Sequence, residues 1–144
     1  MSWWKKLIGS EPEHEEVDYY REGLELLQVG KYHEALTSFR LALRESPGDV
    51  AVLQQIAIAY TRIGMTDEAV KTYRSVLAKD PRALGAHYGL AFLLLRQGAE
   101  AEAVDHLRAF LADPPKGPDA DRHVAHARET LAALTGETVG EEQY

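Results

Sequence analysis

The chain of 144 residues contains no cysteine. A disulfide framework, a thiolate nucleophile and a zinc–thiolate site are therefore excluded, and the composition suits a reducing compartment. Long apolar runs are missing too. No stretch approaches the roughly 18 to 20 apolar residues that a membrane-spanning helix needs, and the N-terminal run Trp3-Trp4-Lys5-Lys6-Leu7-Ile8 lacks the apolar core of a secretory signal. A cytoplasmic location is the expectation. Basic residues are the minority, 16 Lys plus Arg against 23 Asp plus Glu, for a net charge of −7. Neutralising phosphates takes clustered cations, so no nucleic-acid partner is expected. The acidity is also uneven. Glu11, Glu13, Glu15, Glu16 and Asp18 precede the body and Glu137, Glu141 and Glu142 follow it, which leaves the central part nearly neutral.

What the chain does have is a period. Gly30, Gly64 and Gly98 stand 34 residues apart, and so do Glu34, Glu68 and Glu102; Ala35, Ala69 and Ala103; Arg40, Arg74 and Arg108; and Pro47, Pro81 and Pro115. Chance does not produce five such ladders, and a fixed period decides architecture before any local propensity does. Each unit reads as an apolar helical segment, a Gly-centred turn, a second apolar segment and a Pro that stops it. In the second unit Leu53, Ile56, Ala57 and Tyr60 make one helical stripe, and Ala69, Tyr73, Val76 and Leu77 the next. Gly64 suits a left-handed helix end, and Thr66 is the expected N-cap of the following helix. The Ala ladder has a steric reason, since only a short side chain lets two helices cross at about 8 to 10 Å.

The pattern resembles the tetratricopeptide repeat. Its residues are Tyr19, Gly23, Leu26, Ala35, Phe39 and Pro47 in the first unit; Leu53, Ile56, Ala57, Tyr60, Ala69, Tyr73 and Pro81 in the second; and His87, Leu90, Ala91, Leu94, Ala103, Leu107 and Pro115 in the third. The resemblance implies an all-α, right-handed helical solenoid of three helix-turn-helix units, 16–49, 50–83 and 84–117. Glu22 stands where the family has Leu, which predicts an exposed outer edge on the first helix. Phe110 replaces a small residue and Pro114, Pro115 and Pro118 lengthen the next loop, so the following element is expected at a shifted angle. That element is a capping helix over 118–135, with Val124, Ala127, Leu131 and Leu134 on its apolar face. An amphipathic and acidic extension, 1–15, precedes the units, and a disordered acidic tail, 136–144, ends the chain.

Catalytic constellations are thin. His123 and His126 lie at i, i+3 and could share a metal ion, but no third ligand stands near them in sequence; no metal or cofactor is expected. His87 reads as a core-edge residue. The glycines stand singly at helix junctions, which argues against a phosphate-cradling loop, and no Gly-x-Ser-x-Gly elbow occurs. The Glu ladder at the start of each second helix complements the helix dipole. The chain is expected not to be an enzyme.

Removing the packing stripes leaves a second apolar stripe in the third unit, Tyr88, Phe92 and Leu95, with equivalents Tyr20, Leu24 and Leu27 in the first and Gln54, Ile58 and Thr61 in the second. On the family fold these positions line the concave groove, with Gln28, Arg62 and Arg96 alongside. About a third of this apolar area is assigned to packing between first helices; the rest would be a binding surface. Relatives that grip a C-terminal carboxylate share a Lys and Asn clamp here, whereas this chain has Tyr20, Leu24, Gln54 and Ile58, so an apolar peptide or helix is the expected ligand. The reading is a protein-interaction adaptor or scaffold that holds such a segment of a protein partner. Its alternatives are a peripheral membrane-associated assembly factor and a self-associating scaffold. The first would be tethered by Trp3, Trp4, Leu7 and Ile8, which fall within an arc of about 140° on a helix while Lys5 and Lys6 point away, and the second would receive a neighbouring copy in its groove. That segment has three fates open to it: docking on its own domain, docking on a partner or second copy, or lying in a membrane surface.

Overall fold

The computed structural model describes residues 17–137. Among these residues there are seven α-helices and no strand: α1 (Tyr19–Gln28), α2 (Tyr32–Glu45), α3 (Val50–Ile63), α4 (Thr66–Lys79), α5 (Leu84–Arg96), α6 (Glu100–Ala112) and α7 (Pro118–Thr135). Packing is heaviest within the pairs α1/α2, α3/α4 and α5/α6, and each pair also stacks on the next, which is the connectivity of a helical repeat solenoid. The segment with Trp3, Trp4, Leu7 and Ile8 and the tail beyond residue 137 lie outside the described residues.

The turns explain the glycine ladder. Gly64 adopts φ +95°, and the amides of Gly64 and Met65 both donate to the Tyr60 carbonyl, at 3.0 and 2.9 Å. Glycine alone takes that left-handed conformation without steric cost, so the turn closes α3 and reverses the chain within two residues. Thr66 does not cap α4. It is already the first helical residue, Met65 holds the cap position, and no side chain supplies a cap bond. The backbone turn starts the helix one residue earlier than a threonine cap requires, and Asp67 and Glu68 in the first turn face the helix dipole instead. By contrast α1 and α3 begin with side-chain caps, Asp18 accepting from Arg21 N and Asp49 from Ala51 N and Val52 N.

Ala35, Ala69 and Ala103 are fully buried, the small residues at the helix crossings. The main core runs from α2 to α6 through Phe39, Ile56, Val76, Leu90 and Leu94, with α1 contributing partly buried Tyr19, Leu24 and Leu26. Glu22 is exposed, as its sequence context predicts, and accepts a hydrogen bond from the hydroxyl of buried Ser38 at 3.0 Å. A second, smaller core holds Ala91, Leu107, Phe110, Val124, Ala127 and Leu131 between α5, α6 and α7. Phe110, only 2 % exposed, is the wedge on which α7 rests. Leu134 is half-buried at the end of the same face.

Candidate binding groove

Helices α3 and α5 are successive first helices of neighbouring units, and between them and α7 the surface is concave. One cleft of ≈ 560 Å³ is lined by Gln54, Ile58, Thr61 and Arg62 from α3, Leu84, Gly85, Tyr88 and Gly89 from α5, and Tyr73, Phe110, Pro115, Ala120 and His123 around them. A second of ≈ 570 Å³ continues it through Thr61, Tyr88, Gly89, Phe92, Leu93, Leu95, Arg96 and His126. The two share Thr61, Tyr88 and Gly89 and form one groove.

The expected site residues are thus brought together in part. Gln54, Ile58, Arg62, Tyr88, Phe92, Leu95 and Arg96 line the groove. Tyr20, Leu24 and Leu27 line neither cleft. Their side chains pack on the main core, Tyr20 against Phe39 with ring centroids 6.0 Å apart, and Tyr20 also faces a separate hollow walled by Asp18, Glu45 and Asp49.

Two features of the groove were not read from the sequence. The first is its glycine floor. Gly85 and Gly89 lie inside α5 and Gly23 inside α1, so the glycines are not confined to helix junctions. A Cβ on Gly89 would sit 2.5 Å from the Tyr73 ring, and one on Gly85 would collide with the Gln54 amide. Glycine is tolerated in the helix because it lets α4 and α3 approach α5 closely. Two glycines four apart within an apolar segment were the available signal. The second feature is that α7 contributes a wall. The ring of His126 stacks on Phe92 (centroids 4.6 Å apart, 9° between planes), its Nδ1 is 3.0 Å from the Tyr88 hydroxyl, and His123 meets Tyr88 edge-on at 5.0 Å. Tyr88 and Phe92 therefore also pack against the cap, which takes part of the apolar stripe out of solvent. The same contacts engage His123 and His126, the pair considered as metal ligands. His123 Nδ1 bonds the Asp119 carbonyl at 3.1 Å, His126 is engaged by aromatic rings, and among the described residues no group of three or more His, Asp or Glu side chains could hold a metal ion.

Electrostatically the groove is one-sided. Its charged or titratable lining consists of Arg62, Arg96, His123 and His126 besides the phenols, and no carboxylate lines either cleft. The Arg62 guanidinium lies 5.8 Å from the Tyr32 ring centroid and reaches its hydroxyl at 3.4 Å, so this cation is held at the rim. Burial pushes the Tyr73 phenol up to about 12, with the Thr61 hydroxyl pulling the other way, and burial raises Tyr88 as well. Both remain neutral donors at physiological pH.

Stacked helix pairs of 34 residues over an alanine-lined core, closed by a capping helix, define a tetratricopeptide-repeat solenoid. The family model described as the protein kinase G tetratricopeptide repeat matches residues 4–141, and the chain belongs to that family. No curated protein matches it. Among solved structures, the Yersinia enterocolitica type III secretion chaperone SycD in complex with a peptide of the translocator YopD is similar at 21% identity. That match has a TM-score of 0.74 and covers 81% of this chain and 88% of that one. PcrH, of Pseudomonas aeruginosa, in complex with the chaperone binding region of PopD matches at 19% identity and TM-score 0.73, covering 82% and 89%. The P58(IPK) TPR domain matches at 23% identity and TM-score 0.75, covering 82% of this chain and 32% of that one. These likenesses show the fold. No helix among the described residues is long and apolar enough to cross a membrane.

Proposed function

We propose that the chain is a non-enzymatic interaction adaptor that holds an apolar segment of a partner protein in the groove between α3, α5 and α7. The observation that carries this reading is the groove itself: a continuous concave surface with Ile58, Tyr88, Phe92 and Leu95 in its walls and only cationic charge in its lining. Concave apolar surface with a few polar groups is the form a ligand site takes. The cations add a requirement on the ligand, which should carry carboxylates beside its apolar anchors so that they meet Arg62 and Arg96 at the rim. Two proteins of similar fold, SycD and PcrH, have been solved with segments of their partners, which supports peptide holding as a use of this architecture.

Affinity capture with the wild-type chain and with Ile58→Asp, followed by titration of a synthetic peptide from the captured protein, tests the proposal. A charge in the apolar wall of the groove should weaken the peptide by about 2 kcal/mol or more, roughly 30-fold. Arg96→Glu should act mainly on association rate and salt dependence. Unchanged affinity of Ile58→Asp, with its helical signal intact, would exclude the groove.

A further inference from the structure

Outside the groove, where α4, α5 and α6 meet, five polar groups form a chain. The Pro81 carbonyl lies 2.8 Å from His87 Nε2, His87 Nδ1 lies 3.0 Å from His106 Nδ1, and His106 Nε2 faces Glu102 Oε2 at 3.6 Å. Arg74 of α4 closes the chain, donating to both Glu102 oxygens at 2.6 and 3.1 Å. Both imidazoles are half-buried, and their rings lie 5.2 Å apart.

Proton counting constrains this arrangement. The Pro81 carbonyl only accepts, so His87 Nε2 carries a proton, and the two inner nitrogens need one between them; these two protons leave the pair neutral. A third proton fits on His106 Nε2, which faces Glu102 at 3.6 Å, too far for a hydrogen bond but near enough for the carboxylate to tolerate a single charge on the pair. A fourth proton would set N–H against N–H at 3.0 Å and place two like charges side by side in a partly desolvated site.

We infer that His87 and His106 form a proton-operated latch at the junction of the second and third repeats, closed while the pair holds at most one charge and released by a second. The groups facing the pair are Arg74 from α4, Glu102 from α6 and the Pro81 carbonyl from the preceding loop. In that loop Asp80 is engaged in its own turn, accepting from Arg82 N at 3.1 Å. The latch acts on the groove because His87 and Tyr88 are chain neighbours, one turned to the junction and the other to the cleft, so a shift of α5 away from α6 moves a groove wall. This last step rests on the groove being the binding site; the latch itself does not.

Independent of the counting, burial and the charge of His87 hold His106 below the ordinary imidazole value, with Glu102 opposing. The sign follows. Near and below pH 6.5 the unfolded chain binds the proton that the folded chain refuses, so stability is full above that pH and falls as pH drops toward the folded value.

Thermal unfolding from pH 8 to 5 of wild type, His106→Asn and His87→Gln, with side-chain nitrogen NMR of the wild-type imidazoles, tests the latch. The wild-type midpoint should fall by at least about 3 °C more than that of either variant over this range. NMR should show the two rings titrating as a coupled pair. Amide exchange in α5, corrected for intrinsic rate, should accelerate at pH 5 relative to α3. Equal acid slopes in all three proteins, or two rings titrating independently, would overturn the latch. A normal latch with no effect of pH on binding of the captured peptide would instead count against the groove coupling alone.

Discussion

The ring of Tyr73 in α4 occupies the space that a Cβ on Gly89 of α5 would need, at 2.5 Å. Tyr73 is 5 % exposed and cannot swing aside. Gly89→Ala should therefore lower stability by about 1 kcal/mol, because a mid-range overpacking cost of about 2 kcal/mol outweighs the roughly 1 kcal/mol that alanine gains in helix propensity. In a Tyr73→Leu background the same change should turn neutral or stabilising. A double-mutant cycle from denaturant unfolding measures the coupling, and simple additivity would show that the two residues do not compete for space.

Tyr73 makes a second expectation possible. Its phenol is pushed up to about 12 by burial. A raised folded value means that the unfolded chain gives up this proton first, so stability is complete below pH 10 and declines between pH 10 and 12. In a spectrophotometric titration of the seven tyrosines, one should ionise after the others, and Tyr73→Phe should remove that late component. Loss of an early component instead would mean that Tyr73 is exposed to solvent.

Phe92 and Ile58 both line the groove, but only Phe92 carries the His126 stack. Phe92→Ala should loosen α7, costing about 2 kcal/mol since the ring is partly buried, and should raise hydrogen exchange across 118–135. Ile58→Ala should leave α7 protected. If both variants leave α7 unchanged, the stack is not what holds the cap.

Trp3 and Trp4 are the only tryptophans of the chain, so emission reports on the N-terminal segment alone. Docking on its own domain should give blue-shifted emission at all protein concentrations, and docking on a second copy a shift that grows with concentration. A membrane anchor should respond only to anionic vesicles, where two lysines contribute about 1 kcal/mol each and Trp favours the interface. Solvent-like emission under all three conditions would eliminate each of these fates and leave only a different protein as the dock, or no role for the segment.

The repeat and its turns were legible because they are local: a 34-residue period, a glycine at each left-handed turn and an alanine at each helix crossing are statements about neighbours in the chain. Apolar periodicity likewise marked Ile58, Tyr88, Phe92 and Leu95 as a second face, since a helix's surplus stripe follows from 3.6 residues per turn. What periodicity does not contain is which of two apolar faces a neighbour will cover. That depended on the angle at which α7 returns over Phe110, and this angle turned Tyr88 and Phe92 into contacts of the cap as well as walls of the groove. Tyr20 and Leu24 pack half-buried against the main core and line neither cleft, a placement set by the crossing of α1 on α2. The pairing of His87 with His106, 19 residues apart on different helices, was decided only in three dimensions. The rotation of α5 against α6 alone brings those two nitrogens within one proton of each other.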